Sequence, residues 1–160
     1  MLITSDADIN IQDNYGDTAL IGAARSYSDN IEIVKLLIKS GSNVNVQNKY
    51  GHTALTSAIA YNNIDIIKLL IDAGADVNIQ TSDGNTALIN VSLYSRKDIN
   101  GYTILIQTVI KGHTDIVELL IQAGADVNIQ NNNGYTALMY ATQNENKDIV
   151  KLLIDNGAIK

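Results

Sequence analysis

The segment Ala75-Asp-Val-Asn-Ile-Gln80 recurs unchanged at Ala125-Asp-Val-Asn-Ile-Gln130, and nearly so at Ala7-Asp-Ile-Asn-Ile-Gln12 and Ser42-Asn-Val-Asn-Val-Gln47. One short unit copied along a chain cannot bury its apolar face by itself. Successive copies must stack and share a continuous core, which makes the product an extended scaffold. No other feature of the chain narrows its possible folds as far.

The glycine two residues before a recurring threonine serves as a ruler, at Gly16, Gly51, Gly84, Gly101 and Gly134, with steps of 35, 33, 17 and 33 residues. Around it stand Gly16-Asp-Thr-Ala-Leu20, Gly51-His-Thr-Ala-Leu55, Gly84-Asn-Thr-Ala-Leu88, Gly101-Tyr-Thr-Ile-Leu105 and Gly134-Tyr-Thr-Ala-Leu138. A threonine there can accept from the free N–H groups of a helix's first turn, so each mark reads as a turn feeding a helix. A polar break such as Asn62-Asn63 then separates it from a second helix with apolar residues at Ile66, Ile67, Leu69, Leu70 and Ile71. Gly41, Gly74, Gly124 and Gly157 stand where a left-handed residue ends that second helix. The alternating Asp-Val-Asn-Ile-Gln stretch that follows favours a short extended or hairpin finger.

A unit of turn, helix, helix and finger written in these residues resembles the ankyrin repeat. The closest passage is Lys111-Gly-His-Thr-Asp-Ile-Val-Glu-Leu-Leu120 with Gly124-Ala-Asp-Val-Asn128. The resemblance covers nearly the whole chain and implies an all-α solenoid of stacked helix-turn-helix repeats with short β-hairpin or loop fingers. One departure is systematic. The family's Thr-Pro-Leu-His becomes Thr18-Ala-Leu-Ile21, Thr53-Ala-Leu-Thr56 and Thr136-Ala-Leu-Met139, which keeps the helix, since Ala is the best helix former, but removes the histidine that links repeats in the family.

Aligned this way, the chain divides into a partial repeat end (1–12), repeats at 13–47 and 48–80, a truncated repeat at 81–99, and repeats at 100–130 and 131–160. The 17-residue step carries the truncation: Lys97-Asp-Ile99 follows Gly84 as Lys147-Asp-Ile149 follows Gly134, and Asn100-Gly101 then begins again, about sixteen residues too soon. One helix of nine residues rises about 13 Å, and eight extended residues reach about 26 Å. A non-helical return over 95–102, bulging from the stack, is therefore expected. Leu2-Ile-Thr-Ser-Asp-Ala-Asp-Ile-Asn10 aligns with the end of a second helix, as though cut from a longer array.

Composition excludes several function classes. Eleven Lys and Arg are interleaved with seventeen Asp and Glu for a net charge of −6, without the basic clustering that phosphate backbones require, so no nucleic-acid partner is expected. No signal peptide or membrane-spanning run is evident, which points to the cytoplasm, or to a host cell if the protein is an effector. With no Cys and two unrelated histidines, His52 and His113, no tetrahedral metal site can be assembled. No positioned base accompanies a serine, and no glycine-rich phosphate loop is present. Asp6, Asp8 and Asn10 lack the glycine and glutamate of a calcium loop, and the sequon at Asn90 falls on an inner helix. Neither enzymatic activity nor a cofactor is expected.

The resemblance places a protein partner on a concave face of finger tips and first-helix ends. At matching positions these are Tyr15, Asp17, Arg25, Lys49, Tyr50, His52, Tyr61, Asn85, Tyr102, Lys111, Tyr135 and Gln143. Tyrosine suits an interface because it offers a large rigid contact and a polar tip, although a ring beside a turn can equally pack over its own hairpin. Asn10, Asn45, Asn78 and Asn128 are expected to bond their own turns; ankyrin asparagines at this place are also hydroxylation sites in animal cytosol. The alternative reading is a structural or assembly segment of a longer array, or a self-associating oligomer, though a monomer is favoured.

Overall fold

The computed structural model describes residues 8–25, 30–94 and 105–159. Among the described residues eight helices follow one another: α1 (Ala19–Ala24), α2 (Ile31–Lys39), α3 (Ala54–Ala60), α4 (Ile64–Asp72), α5 (Ala87–Tyr94), α6 (Leu105–Gln122), α7 (Ala137–Gln143) and α8 (Lys147–Asp155). They form hairpins, α1 with α2 through α7 with α8, and the hairpins stack so that odd-numbered helices touch odd and even touch even. The all-α solenoid read from the sequence is the observed fold.

The threonine caps and glycine stops act as their positions imply. Thr18, Thr53, Thr86 and Thr136 accept through Oγ1 from the backbone N–H groups of Ile21, Thr56, Ile89 and Met139 at 3.2–3.3 Å. Asn63 and Asn146 cap α4 and α8 in the same manner. Gly41, Gly74, Gly124 and Gly157 adopt φ of 85–89°, the left-handed conformation in which a Cβ would be strained. The core is aliphatic and continuous, running from Leu20 and Val34 through Leu55, Ile66, Leu88, Ile116 and Leu138 to Leu153.

The Asp-Val-Asn-Ile-Gln stretches run as loop fingers, one of the two forms expected, with no strand among the described residues; their alternating polar groups serve bonds between layers, described below. The expected division at residue 99 lies outside the described residues. α5 packs between α3 and α7, and α6 between α4 and α8, so the two helices stack as one layer. The finger glutamines agree: Gln47 bonds Gln80 across 33 residues, and Gln80 bonds Gln130 across 50. The unit is a lengthened layer, and α6 is one 18-residue helix where a helix pair is expected.

Packing explains which copy of the turn-and-helix sentence occupies that layer. Its first helical position, held by Ala54, Ala87 and Ala137, is 1% exposed. The Gly84 copy offers Ala87 there, whereas the Gly101 copy offers Ile104. Three extra carbons in a filled site cost about 1–3 kcal/mol. The expected extended return over 95–102 lies outside the described residues.

Candidate protein-binding face

Each finger tip is a turn closed by its own backbone: Asp13, Asn48, Thr81 and Asn131 donate N–H to the carbonyls of Asp17, His52, Asn85 and Tyr135 at 2.9–3.0 Å. In three of the four the opening side chain also accepts from inside the turn, Asn48 Oδ1 taking the N–H groups of Tyr50 and His52 at 2.9 Å. The tips then bond to one another. Lys49 N–H donates to the Tyr15 carbonyl, Ser82 to Tyr50 and Asn132 to Asp83, at 3.0–3.1 Å. This close approach is possible because the residue beneath is glycine: a Cβ on Gly51, at φ +76°, would stand 2.6 Å from the Ser82 nitrogen.

Below the tips runs a column of amides. Asn10, Asn45 and Asn78 accept through Oδ1 from the backbone of Asn43, Asp76 and Asp126 in the following layer, at 2.8 Å, and Asn128 accepts from Ile159 at 2.9 Å. The Nδ2 of Asn45, Asn78 and Asn128 donates to the carbonyls of Gly74, Gly124 and Gly157. These asparagines were expected to bond their own turns; that bond belongs instead to the residue two before each, Asp8, Asn43, Asp76 or Asp126. The finger asparagine, freed of it, faces the next layer. Gln12, Gln47 and Gln80 repeat the pattern, donating to the glutamine carbonyl of the following layer at 2.9–3.0 Å.

On this frame several of the expected site residues meet. Arg25, the C-cap of α1, donates to both carboxylate oxygens of Asp17, at 2.5 and 3.0 Å, joining a helix end to its tip. Asn48 Nδ2 donates to the same Asp17 at 2.8 Å. His52 is half-buried beside them; burial holds its pKa below the usual 6.5, Arg25 lowers it further, and Asp17 and Asp83 oppose both. Two layers on, Asn131 Nδ2 donates to Asn85 at 2.9 Å. Asn48 and Asn131 were not among the expected site residues, although both open a ruler turn, where an amide can accept within the turn and donate outside it.

The tyrosines separate into two kinds. Tyr15 and Tyr50 precede their glycines on adjacent tips and are 62% and 57% exposed. Tyr135 follows its glycine and stacks on Tyr140, centroids 5.2 Å apart, while the Tyr140 hydroxyl accepts from Asn131. Tyr135 is 42% exposed. Tyr61 is the half-buried C-cap of α3, and Lys49 and Gln143 are exposed. Lys111 falls inside α6, where the sequence places the end of a first helix, and Tyr102 lies outside the described residues.

Among the described residues no helix is long and apolar enough to cross a membrane, and no group of His, Asp and Glu is placed to hold a metal ion. A family model for ankyrin repeats, three copies long, matches residues 1–81 and again residues 79–160. No curated protein matches the chain.

Proposed function

The chain belongs to the ankyrin-repeat family, whose members generally mediate protein–protein interaction, and from that premise we propose that it is a non-enzymatic cytoplasmic scaffold that captures a protein partner on a concave face of tips and first-helix ends. The observation that carries this reading is the pairing of Tyr15 and Tyr50. Two large aromatic side chains project into solvent from neighbouring tips whose backbones are fixed by the Lys49-to-Tyr15 and Ser82-to-Tyr50 bonds. A rigid aromatic pair loses little conformational entropy when covered, as an interface anchor requires. The Arg25–Asp17 pair beside it adds a polar, directional rim.

A photo-crosslinking residue at Tyr50 tests the placement when compared with one at Glu118, exposed on α6. Adducts of one defined mass from position 50, lost when Tyr15 is replaced by Ala, support the tip face. Adducts from position 118 alone would move the binding surface to the outer helices.

A further inference from the structure

We infer that the tip row Tyr15, Tyr50 and Asp83 takes a polyproline II segment of a partner. Two prolines three apart seat on the tyrosines, and a basic residue three further on meets the aspartate. The inference rests on the tip face proposed above and adds the chemistry of what that face holds. Each of the three residues stands immediately before the glycine of its turn, so one layer step carries each into the next. The position faces solvent inside the stack as well as near its start: Tyr50 is 57% exposed and Asp83 is exposed, each on a tip bonded to a neighbour on either side. Among the described residues neither tyrosine hydroxyl has a partner, whereas that of Tyr140 accepts from Asn131. The Asp83 carboxylate forms no ion pair among them.

The period selects the ligand. α1, α3 and α5 are in successive contact, and packed helices lie about 8–10 Å apart, which sets the step from tip to tip. A polyproline II helix rises about 9 Å in three residues and returns to the same face. A β-strand covers a similar length in three residues but turns the third side chain to the opposite face. An α-helix, about 10–12 Å across, fits a trough, whereas this row offers one side chain per layer above tips closed on one another by backbone bonds. Prolines suit the tyrosines further, because a preformed ligand lies flat on aromatic rings and its unbonded carbonyls can accept from the hydroxyls. Charge sets the register. Lys49, exposed on the Tyr50 tip, repels a cation there, so the basic residue of the ligand falls at Asp83 one layer on. These 160 residues contain no proline, so the occupant is a different protein and not a second copy of them.

Fluorescence anisotropy of two dye-labelled peptides with the 160-residue chain tests the inference. One peptide is nine prolines followed by Arg and the other nine prolines preceded by Arg, which offers the charge in either chain direction. At least one of them is expected to bind, and Tyr15→Ala and Tyr50→Ala should each weaken it about tenfold. Asp83→Asn should bring it down to the affinity of nine prolines alone and leave that plain peptide's binding unchanged. Asp83→Lys should turn the preference towards a peptide with Glu in place of Arg. All three positions are exposed, so circular dichroism should show the same helical content in every variant. Failure of both peptides to bind, binding indifferent to the two tyrosines, or an Arg preference that survives Asp83→Asn overturns the inference. A defined crosslinked adduct from position 50 beside such a failure leaves the tip face standing with a helical occupant, whereas adducts from position 118 alone overturn the face and the inference together.

Discussion

Asn78 accepts the backbone N–H of Asp126 through Oδ1 at 2.8 Å, across 48 residues of chain, with the geometry Asn45 uses to reach Asp76 across 31. The bond holds the finger register over the one lengthened layer. Asn78→Ala removes it together with the Nδ2 bond to Gly124 and should lower stability by about 1–2 kcal/mol. Asn78→Asp keeps the acceptor and should cost less. Urea unfolding of the two variants checks the order; equal losses would assign the effect to something other than the Asp126 bond.

Gly51 and Gly134 share nearly one conformation, φ +76° and +79°, but differ in what covers them. Gly134→Ala should cost only the left-handed strain, about 1–2 kcal/mol. Gly51→Ala adds a collision with the backbone of Thr81 and Ser82, at 2.6–2.8 Å, and should cost clearly more. Thermal denaturation of both variants measures the difference, which is the worth of one close tip-to-tip approach.

Ala87→Ile places in α5 the residue that the rival copy carries as Ile104. At a site 1% exposed the added volume should destabilise by about 1–3 kcal/mol. The same change at Ala19, exposed on α1, should be nearly neutral. Loss of stability at both positions alike would remove overpacking as the reason the Gly84 copy holds the layer.

His52 has a folded-state pKa below 6.5, so the unfolded chain binds its proton more readily. Its contribution to stability is complete above pH 6.5, declines as the pH falls towards the lowered pKa, and is level below that. His52→Gln should therefore lose less stability than the unaltered protein on going from neutral to mildly acidic pH. Identical pH profiles would show that the histidine is not held neutral by the fold.

Features governed by local chemistry were legible in the sequence. A threonine before an apolar helix and a glycine after it act within one turn, and Thr18, Thr53, Thr136, Gly41 and Gly74 all do what their positions imply. The fold class follows from the stacking that such units require. The layer count was not legible, because the Gly84 and Gly101 sentences are nearly alike and only the volume allowed beside α3 and α7 separates Ala87 from Ile104. Nor was the direction of the finger asparagines, since an Asx turn and a bond to the next layer use the same amide. At the candidate face, the meeting of Asp17 with Arg25 needed the position of a helix end relative to a tip, which spacing along the chain does not carry.

The column formed by Asn45, Asn78, Asn128 and their glutamine neighbours joins the layers through amides, none of which carries a charge. Ionic strength therefore has little hold on the scaffold's cohesion, while the exposed Lys49 on the candidate face is subject to screening and the partly buried Asp17–Arg25 pair less so. A salt step that releases a partner from that face should leave the thermal midpoint of the array almost unchanged.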